Sequence, residues 1–318
     1  MAAAPDISCD RRIDVVLKNP VRIRQRKFLM VCALVMSLAW SSGDSQAGDK
    51  STRREICVTF NELPVSQAFD TVDRVAVTKQ LLEVLDRHNV IVTGFVVGEK
   101  IDNSYDLLGQ WLNAGHQLGN LTYSHQDLHE MSIEQFIRDI STGNEKLEPM
   151  LAGFGQKGRY FRYPFLHYGA TVQAKRQIRL YLEAQDIAVA HVTIVIDDYL
   201  YNLTLEKISQ GNDSADYEAL RYEYISHVLS EVERCEAVAK EILKRPCRHI
   251  LQLRANRLNA LFLDALLTAL GDMGYNFISI DKALKDQLFT MPEAYLGPRG
   301  VGYLDMIRES DPDLLPAQ

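Results

Sequence analysis

Short apolar runs alternate with amphipathic segments from residue 55 to about residue 285. The strand-like runs, which are rich in β-branched residues, lie at 55–60, 91–98, 158–165, 188–199, 249–255 and 276–280. Apolar residues at helical spacing predict helices at 74–89, 105–120, 132–151, 175–187, 215–244 and 258–275. This alternation predicts a mainly parallel sheet, either open or closed into a barrel.

The pattern predicts one main domain with a segment on either side of it. Residues 50–290 carry the strand–helix alternation, without an internal repeat, a Pro/Ser-rich linker or a low-complexity stretch. We expect them to form a single domain of the size of an enzyme. Residues 291–318 show no clear periodicity and are predicted to form a C-terminal tail.

The first 47 residues have the pattern of a secretory signal. Basic residues between Arg22 and Lys27 precede an apolar run at 28–40, and Ser45 and Ala47 follow as a small-x-small site. The run is shorter than the roughly 20 residues that a membrane-spanning helix needs. We therefore expect a cleaved signal with a long n-region and a secreted or periplasmic product with no stable membrane anchor. An uncleaved N-terminal anchor is the alternative.

The charge of the chain argues against nucleic acid as a partner. The formal net charge is −7, and no Lys/Arg-rich stripe occurs along the sequence. Proteins that bind nucleic acid need clustered basic residues to neutralise phosphates. Nucleic-acid binding is therefore not expected.

Polar clusters lie at five predicted strand ends. Side chains that carry function in α/β enzymes collect where strands end. The clusters are Asn61–Glu62, Thr122–His125, Arg162–Phe165, Asp197–Asp198 and Arg254–Asn256.

In this order, the clusters resemble the five motifs of NodB-type polysaccharide deacetylases. The closest stretches are AGHQLGNLTYSHQDL (114–128), RYFRYPF (159–165) and HILQLRANRLNALFLDALL (249–267), and the resemblance spans about 55–285. It implies an irregular (β/α) barrel of the NodB type. It also implies removal of N- or O-acetyl groups from an acetylated amino-sugar polysaccharide or peptidoglycan-type glycan, with a divalent metal, usually Zn²⁺.

The resemblance places the general base and one metal ligand on residues that differ from the family pattern. The family has an aspartate pair at the end of the first strand, and these positions hold Asn61 and Glu62. An asparagine amide cannot take a proton from water, and the loss of a positioned base typically costs about 10²–10⁴ in rate. Glu62 keeps the charge of the metal ligand on a longer side chain.

The second motif has lost one of its two histidine ligands. The two positions fall on Leu121 and His125, and leucine has no lone pair to give to a metal. Glu62 and His125 are fewer than the three protein ligands of a catalytic zinc, so the Zn²⁺ that the family implies is expected to bind poorly. A water or Asp127 is the candidate for completing the coordination, whereas His129 is expected to be a surface residue.

The third motif keeps the Arg-x-Pro-aromatic pattern. The resemblance implies that Arg162 orients the base, but with Asn61 it lacks an anionic partner. Two alternatives follow: the aromatic residues of this motif form a sugar-binding wall, or Arg162 pairs with Glu62 and holds the loop closed. Aromatic rings stack on sugars, and the predicted wall consists of Tyr163, Pro164, Phe165 and Tyr168.

The fourth and fifth motifs have lost the general acid. The family's catalytic histidine falls on Arg254, and the aspartate that orients it falls on Asp197 or Asp198. Arginine does not release its proton at working pH, so Arg254 cannot act as a general acid. A structural ion pair between Arg254 and one of the aspartates is the preferred interpretation, and oxyanion stabilisation by its charge is the alternative.

The base, one metal ligand and the general acid are thus substituted, while the core pattern is intact. We therefore predict a secreted deacetylase-family protein that is catalytically impaired or inactive and acts through glycan or partner binding. A weakly active metal-dependent hydrolase and an interaction module that kept only the fold are the alternatives. Structural roles are expected for His88, His116, His167, His191 and His249.

Overall fold

The computed structural model describes residues 54–66, 73–209 and 214–315. The predicted signal segment at 1–47 lies outside these ranges, and its cleavage and the export of the chain stay predictions. Among the helices of the described ranges, none combines the length and the apolar character needed to cross a membrane.

Eight strands and nine α-helices make up the regular structure of the described residues. The strands are β1 (Arg54–Leu63), β2 (Thr93–Val96), β3 (Gln117–Asn120), β4 (Tyr160–Phe161), β5 (Ala188–Val189), β6 (Ile194–Val195), β7 (Arg248–Arg254) and β8 (Tyr275–Phe277). The helices are α1 (Arg74–Arg87), α2 (Tyr105–Asn113), α3 (Ile133–Gly153), α4 (Val172–Ala184), α5 (Asp198–Ser209), α6 (Ser214–Leu243), α7 (Arg257–Asp272), α8 (Ile280–Ala283) and α9 (Tyr303–Arg308).

All strand pairings in the described sheet are parallel. The strands follow the order β5-β4-β3-β2-β1-β7-β6, and β8 also pairs with β1. β5 and β6 lie at opposite ends of this order, yet only residues 190–193 join them along the chain. So short a connection brings the two ends of the sheet together, and the sheet curls into an irregular (β/α) barrel, as predicted.

β1 is the central strand and is buried on both faces. Ile56, Val58 and Phe60 point into the larger hydrophobic cluster, which packs under the helices. Cys57 points to the opposite face of the strand and belongs to a second cluster, which also contains Leu121. A strand covered on both sides reads as a continuous apolar run, which is why ICVTF predicts it well.

The helix predicted at 105–120 and closed by Gly115 ends before that glycine as expected, but the strand that follows it is not predicted. α2 ends at Asn113, and β3 pairs in parallel with β2. Gly115 adopts φ +83°, a backbone conformation that terminates the helix. Gly119 lies within β3 so close to Phe95 that an added Cβ would be 2.7 Å from its ring. Tight packing against β2 therefore determines this strand.

The predicted single strand at 188–199 is also wrong. Only β5 and β6 have strand pairing there, with β4 and with β7 respectively, and α5 begins at Asp198. The run is rich in β-branched residues because its side chains are buried at the junction of the sheet ends, whether or not the backbone pairs.

The segment predicted to be a C-terminal tail contributes to the core. Tyr303, Leu304 and Met306 of α9 are buried in the larger hydrophobic cluster. The Tyr303 amide donates to the Val192 carbonyl, which lies between β5 and β6. A helix of six residues is too short to show a clear apolar period, so the sequence does not reveal it.

Candidate functional site

The polar side chains singled out from the sequence lie at one edge of the sheet. Parallel pairing places Asn61, near the end of β1, beside Arg254 at the end of β7. β3 ends one residue before Leu121, and β4 ends one residue before Arg162. Because these strands are parallel, their carboxyl ends meet at the same edge, where α/β proteins bind their ligands.

A buried arginine holds Asn61 at the base position. Arg162 Nη1 donates to Asn61 Oδ1 at 2.8 Å and to Thr59 Oγ1 at 2.7 Å. Its Nε donates to the Ala190 carbonyl, and its guanidinium lies 4.0 Å from the centre of the Phe95 ring. Arg162 is fully buried, and burial lowers its pKa to about 9. A cation therefore lies in the interior against a neutral amide.

Arg254 bridges two carboxylates at the general-acid position. Its Nη1 donates to Asp198 Oδ1 at 2.7 Å, and its backbone amide donates to Asp198 Oδ2 at 2.6 Å. Its Nε donates to Glu62 Oε1 at 3.1 Å. The preferred ion pair thus forms with Asp198. Glu62 pairs with Arg254, and the alternative pairing with Arg162 is not formed.

Three polar residues that the sequence analysis did not single out complete this network. Asn259 Nδ2 donates to Asp198 Oδ2 at 2.7 Å, and Tyr224 donates to Asn259 Oδ1 at 2.6 Å. Ser66 Oγ donates to Glu62 Oε2 at 2.8 Å. The only signal that the sequence offers for Asn259 is an amide among the apolar residues of α7. Asp197 is exposed and lies one residue before α5.

The charge of Glu62 is stabilised inside this network. Burial acts to raise the pKa of Glu62, but Arg254, His125, the Ser66 hydroxyl and Lys100 together outweigh it, so the pKa is lowered. Lys100 is a further residue that the sequence analysis missed. Both oxygens of the Glu62 carboxylate accept hydrogen bonds from protein groups. Its lone pairs are therefore directed at an arginine and a serine.

The predicted metal ligands do not fit a metal site. Leu121 is buried in the hydrophobic cluster beside the strand ends. His125 packs edge-on against Phe165 at 4.8 Å between ring centres, and its pKa is lowered, chiefly by burial. Within the described ranges, Glu62 and His125 belong to no group of three His, Cys, Asp or Glu ligands. Asp127 does not complete this pair, because its carboxylate binds His167.

Most of the predicted sugar-binding wall is buried. Tyr163, Pro164 and Tyr168 are covered, and Tyr163 packs on Tyr168 at 4.4 Å between ring centres. Phe165 alone among the four is exposed, at 51%. Its φ is +54°, and its ring lies beside His125. Of the four residues predicted to form the wall, Phe165 is therefore the one that offers an exposed ring to a ligand.

Comparison with known proteins supports the resemblance to polysaccharide deacetylases that the motifs indicate. Residues 48–182 match the model of the family described as polysaccharide deacetylase. This match covers 135 of the 318 residues, and over them the chain resembles the polysaccharide deacetylase family.

Relatives within this family include enzymes named for peptidoglycan. The chain is 31% identical over 106 residues to the peptidoglycan-N-acetylglucosamine deacetylase of Bacillus cereus. The aligned region covers 33% of this chain and 38% of the relative. It is 23% identical over 241 residues to the enzyme of the same name from Listeria monocytogenes, covering 74% of this chain and 40% of the relative. The chain thus spans about two fifths of each of these relatives.

A solved structure of a CE4 family pseudoenzyme from Bacillus anthracis has a similar fold. The TM-score is 0.50 at 16% identity, and the match covers 73% of this chain and 66% of that one. A mutant of that protein, described as having restored enzymatic activity, matches with the same TM-score and covers 68% of its chain. At this level of identity the likeness concerns the fold alone.

Proposed function

We propose that this polysaccharide deacetylase-family chain binds an acetylated amino-sugar polymer, such as a peptidoglycan-type glycan, without hydrolysing it. One observation carries the proposal. The Arg254 guanidinium is held between Glu62 and Asp198, so the general-acid position and the retained acidic ligand position are tied together. Neither group is left to move a proton or to receive a metal.

The neutral base position supports the same conclusion. Asn61 Oδ1 accepts a hydrogen bond from Arg162, and an amide cannot accept a proton from water in the reaction. The missing base and the missing acid each remove a step that typically contributes about 10²–10⁴ to the rate. Together, the two losses remove most of the rate enhancement that such a site gives over the uncatalysed reaction in water.

The choice of a glycan ligand rests on the family and on the exposed ring. The relatives from Bacillus cereus and Listeria monocytogenes are named for peptidoglycan N-acetylglucosamine. Phe165 presents a half-exposed ring at the strand-end edge, where the CH-rich face of a sugar can stack. The signal-like pattern of residues 1–47 supports export of the chain to where such polymers occur.

The alternative is a weakly active metal-dependent hydrolase that removes acetyl groups from amino-sugar polymers. Glu62 and His125 are the observation in its favour, since both keep atoms that can bind a metal. This alternative requires Glu62 to leave Arg254 and a third ligand to be recruited.

Binding should be measured by calorimetry with N-acetylglucosamine oligomers and the full chain in the presence of EDTA. We expect metal-independent binding that Phe165→Ala weakens by about three- to tenfold, because one aromatic contact typically contributes about 0.5–1.5 kcal/mol. Phe154→Ala is the matched control, since Phe154 is also exposed but follows the end of α3. Oligomer binding that requires a metal would favour the hydrolase. No binding at millimolar oligomer would contradict the proposal and favour an interaction module.

A further inference from the structure

A second group of metal-ligating side chains lies beyond the ends of β3 and β4. Asp127 precedes the short 3₁₀ turn Leu128–Glu130 and accepts a hydrogen bond from the His129 amide at 2.9 Å. His167 follows the 3₁₀ turn Pro164–Leu166. The two turns bring a carboxylate and two imidazoles together. The sequence analysis expected a surface residue at His129 and a structural role for His167.

The three side chains are close enough to share one ion. His167 Nδ1 lies 2.8 Å from both oxygens of Asp127. The rings of His129 and His167 stack at 4.3 Å between centres, with 9° between their planes. One ligand atom from each residue lies within 4.8 Å of the other two. Tetrahedral zinc holds its nitrogen and oxygen ligands about 3.3 Å apart, so the two rings must turn out of their parallel stack for one nitrogen of each to point at the ion.

The surroundings favour a bound ion that solvent can reach. All three residues are half-buried. His129 also lines an open cavity of about 370 Å³, so solvent reaches the group from the His129 side. A metal site with three protein ligands and one water needs side chains that the fold holds in place and a path for solvent to reach the ion.

We propose that Asp127, His129 and His167 form a binding site for a zinc-class divalent ion, with water as the remaining ligand. Two imidazoles with one carboxylate suit Zn²⁺, and also Co²⁺ or Ni²⁺, whereas Mg²⁺ and Ca²⁺ prefer sites made of oxygen ligands. The site is separate from the predicted ligands Glu62 and His125. The Phe165 ring lies 4.8 Å from His125 and 6.0 Å from His167, and it therefore adjoins both groups.

The test is zinc binding by the full chain, prepared without a histidine tag and freed of metal. Equilibrium dialysis against micromolar Zn²⁺ should give one bound equivalent. His129→Ala and Asp127→Asn should each weaken binding by about 100-fold, since loss of even an outer partner of a ligand costs about 10–100-fold. Asparagine at position 127 can still cap the turn, so this variant should fold. Thermal melts of every variant confirm that folded proteins are compared.

Two histidine variants serve as controls. His88→Gln changes another histidine–aspartate pair, in which His88 Nε2 lies 2.9 Å from Asp264 Oδ1. His125→Gln removes the histidine retained from the family motif. Both variants should bind zinc as the unaltered chain does. Absence of stoichiometric zinc at micromolar concentration would overturn the proposal. Zinc that is lost in His125→Gln but kept in His129→Ala would overturn it as well.

Discussion

Replacing Arg254 by alanine is expected to lower the free energy of unfolding by about 3–5 kcal/mol, because it leaves a buried carboxylate without its cation. Asp198 is fully buried, and the Arg254 guanidinium is the cation it contacts. Glu62 loses the same partner. Urea unfolding at pH 7, followed by circular dichroism, measures the change.

A neighbouring arginine provides the control for this substitution. Arg257 pairs with Glu206 at 3.3 Å, but its side chain is 42% exposed. Arg257→Ala should therefore cost no more than about 1 kcal/mol, as is usual for exposed pairs. The double variant Asp198→Asn with Arg254→Ala should recover part of the loss, because it removes both buried charges. A loss in Arg254→Ala as small as that in Arg257→Ala would contradict a structural role for the bridge.

Replacing Asn61 by aspartate is expected to raise the free energy of unfolding by roughly 0.5–2 kcal/mol, the difference between a hydrogen bond to a charged group and one to a neutral group. Arg162 is buried beside the Asn61 amide, and its Nη2 has no hydrogen-bond partner within the described residues. A carboxylate would neutralise this cation and give it a stronger acceptor. The urea midpoint at pH 7 should therefore increase.

The matched control makes the same chemical change at another buried amide. Asn202 Oδ1 accepts a hydrogen bond from the Leu258 backbone amide, and Asn202 is 2% exposed. Asn202→Asp should lower stability, because its new charge would be buried beside a backbone amide rather than a guanidinium. A loss of stability in Asn61→Asp as large as that in Asn202→Asp would show that Arg162 does not need an anionic partner.

The sequence predicts the fold well where a strand or helix carries its own period. β1, α3 and α7 are recovered within a few residues, because continuous burial or an apolar stripe is visible in the chain itself. β3 and the split between β5 and β6 are not recovered. Their positions depend on neighbouring strands and on close packing at Gly119, which a window along the sequence does not contain.

The candidate site divides in the same way. Strand ends place Asn61, Arg162 and Arg254 at one edge, as the motifs predict. The choice of partner does not follow from spacing, because Glu62 has two arginines within the motif set and contacts only Arg254. The grouping of Asp127, His129 and His167 does not follow from the sequence, because Asp127 and His167 are 40 residues apart in the chain.

The absence of turnover is the central claim, and acetate release tests it most directly. The full chain is incubated with N-acetylglucosamine oligomers, with added Zn²⁺ in one series and EDTA in the other. The Bacillus cereus peptidoglycan-N-acetylglucosamine deacetylase serves as the positive control. We expect no acetate above background in either series, because Asn61 and Arg254 supply neither a base nor an acid. Zinc-dependent acetate release that EDTA abolishes would contradict the account and establish the chain as a hydrolase.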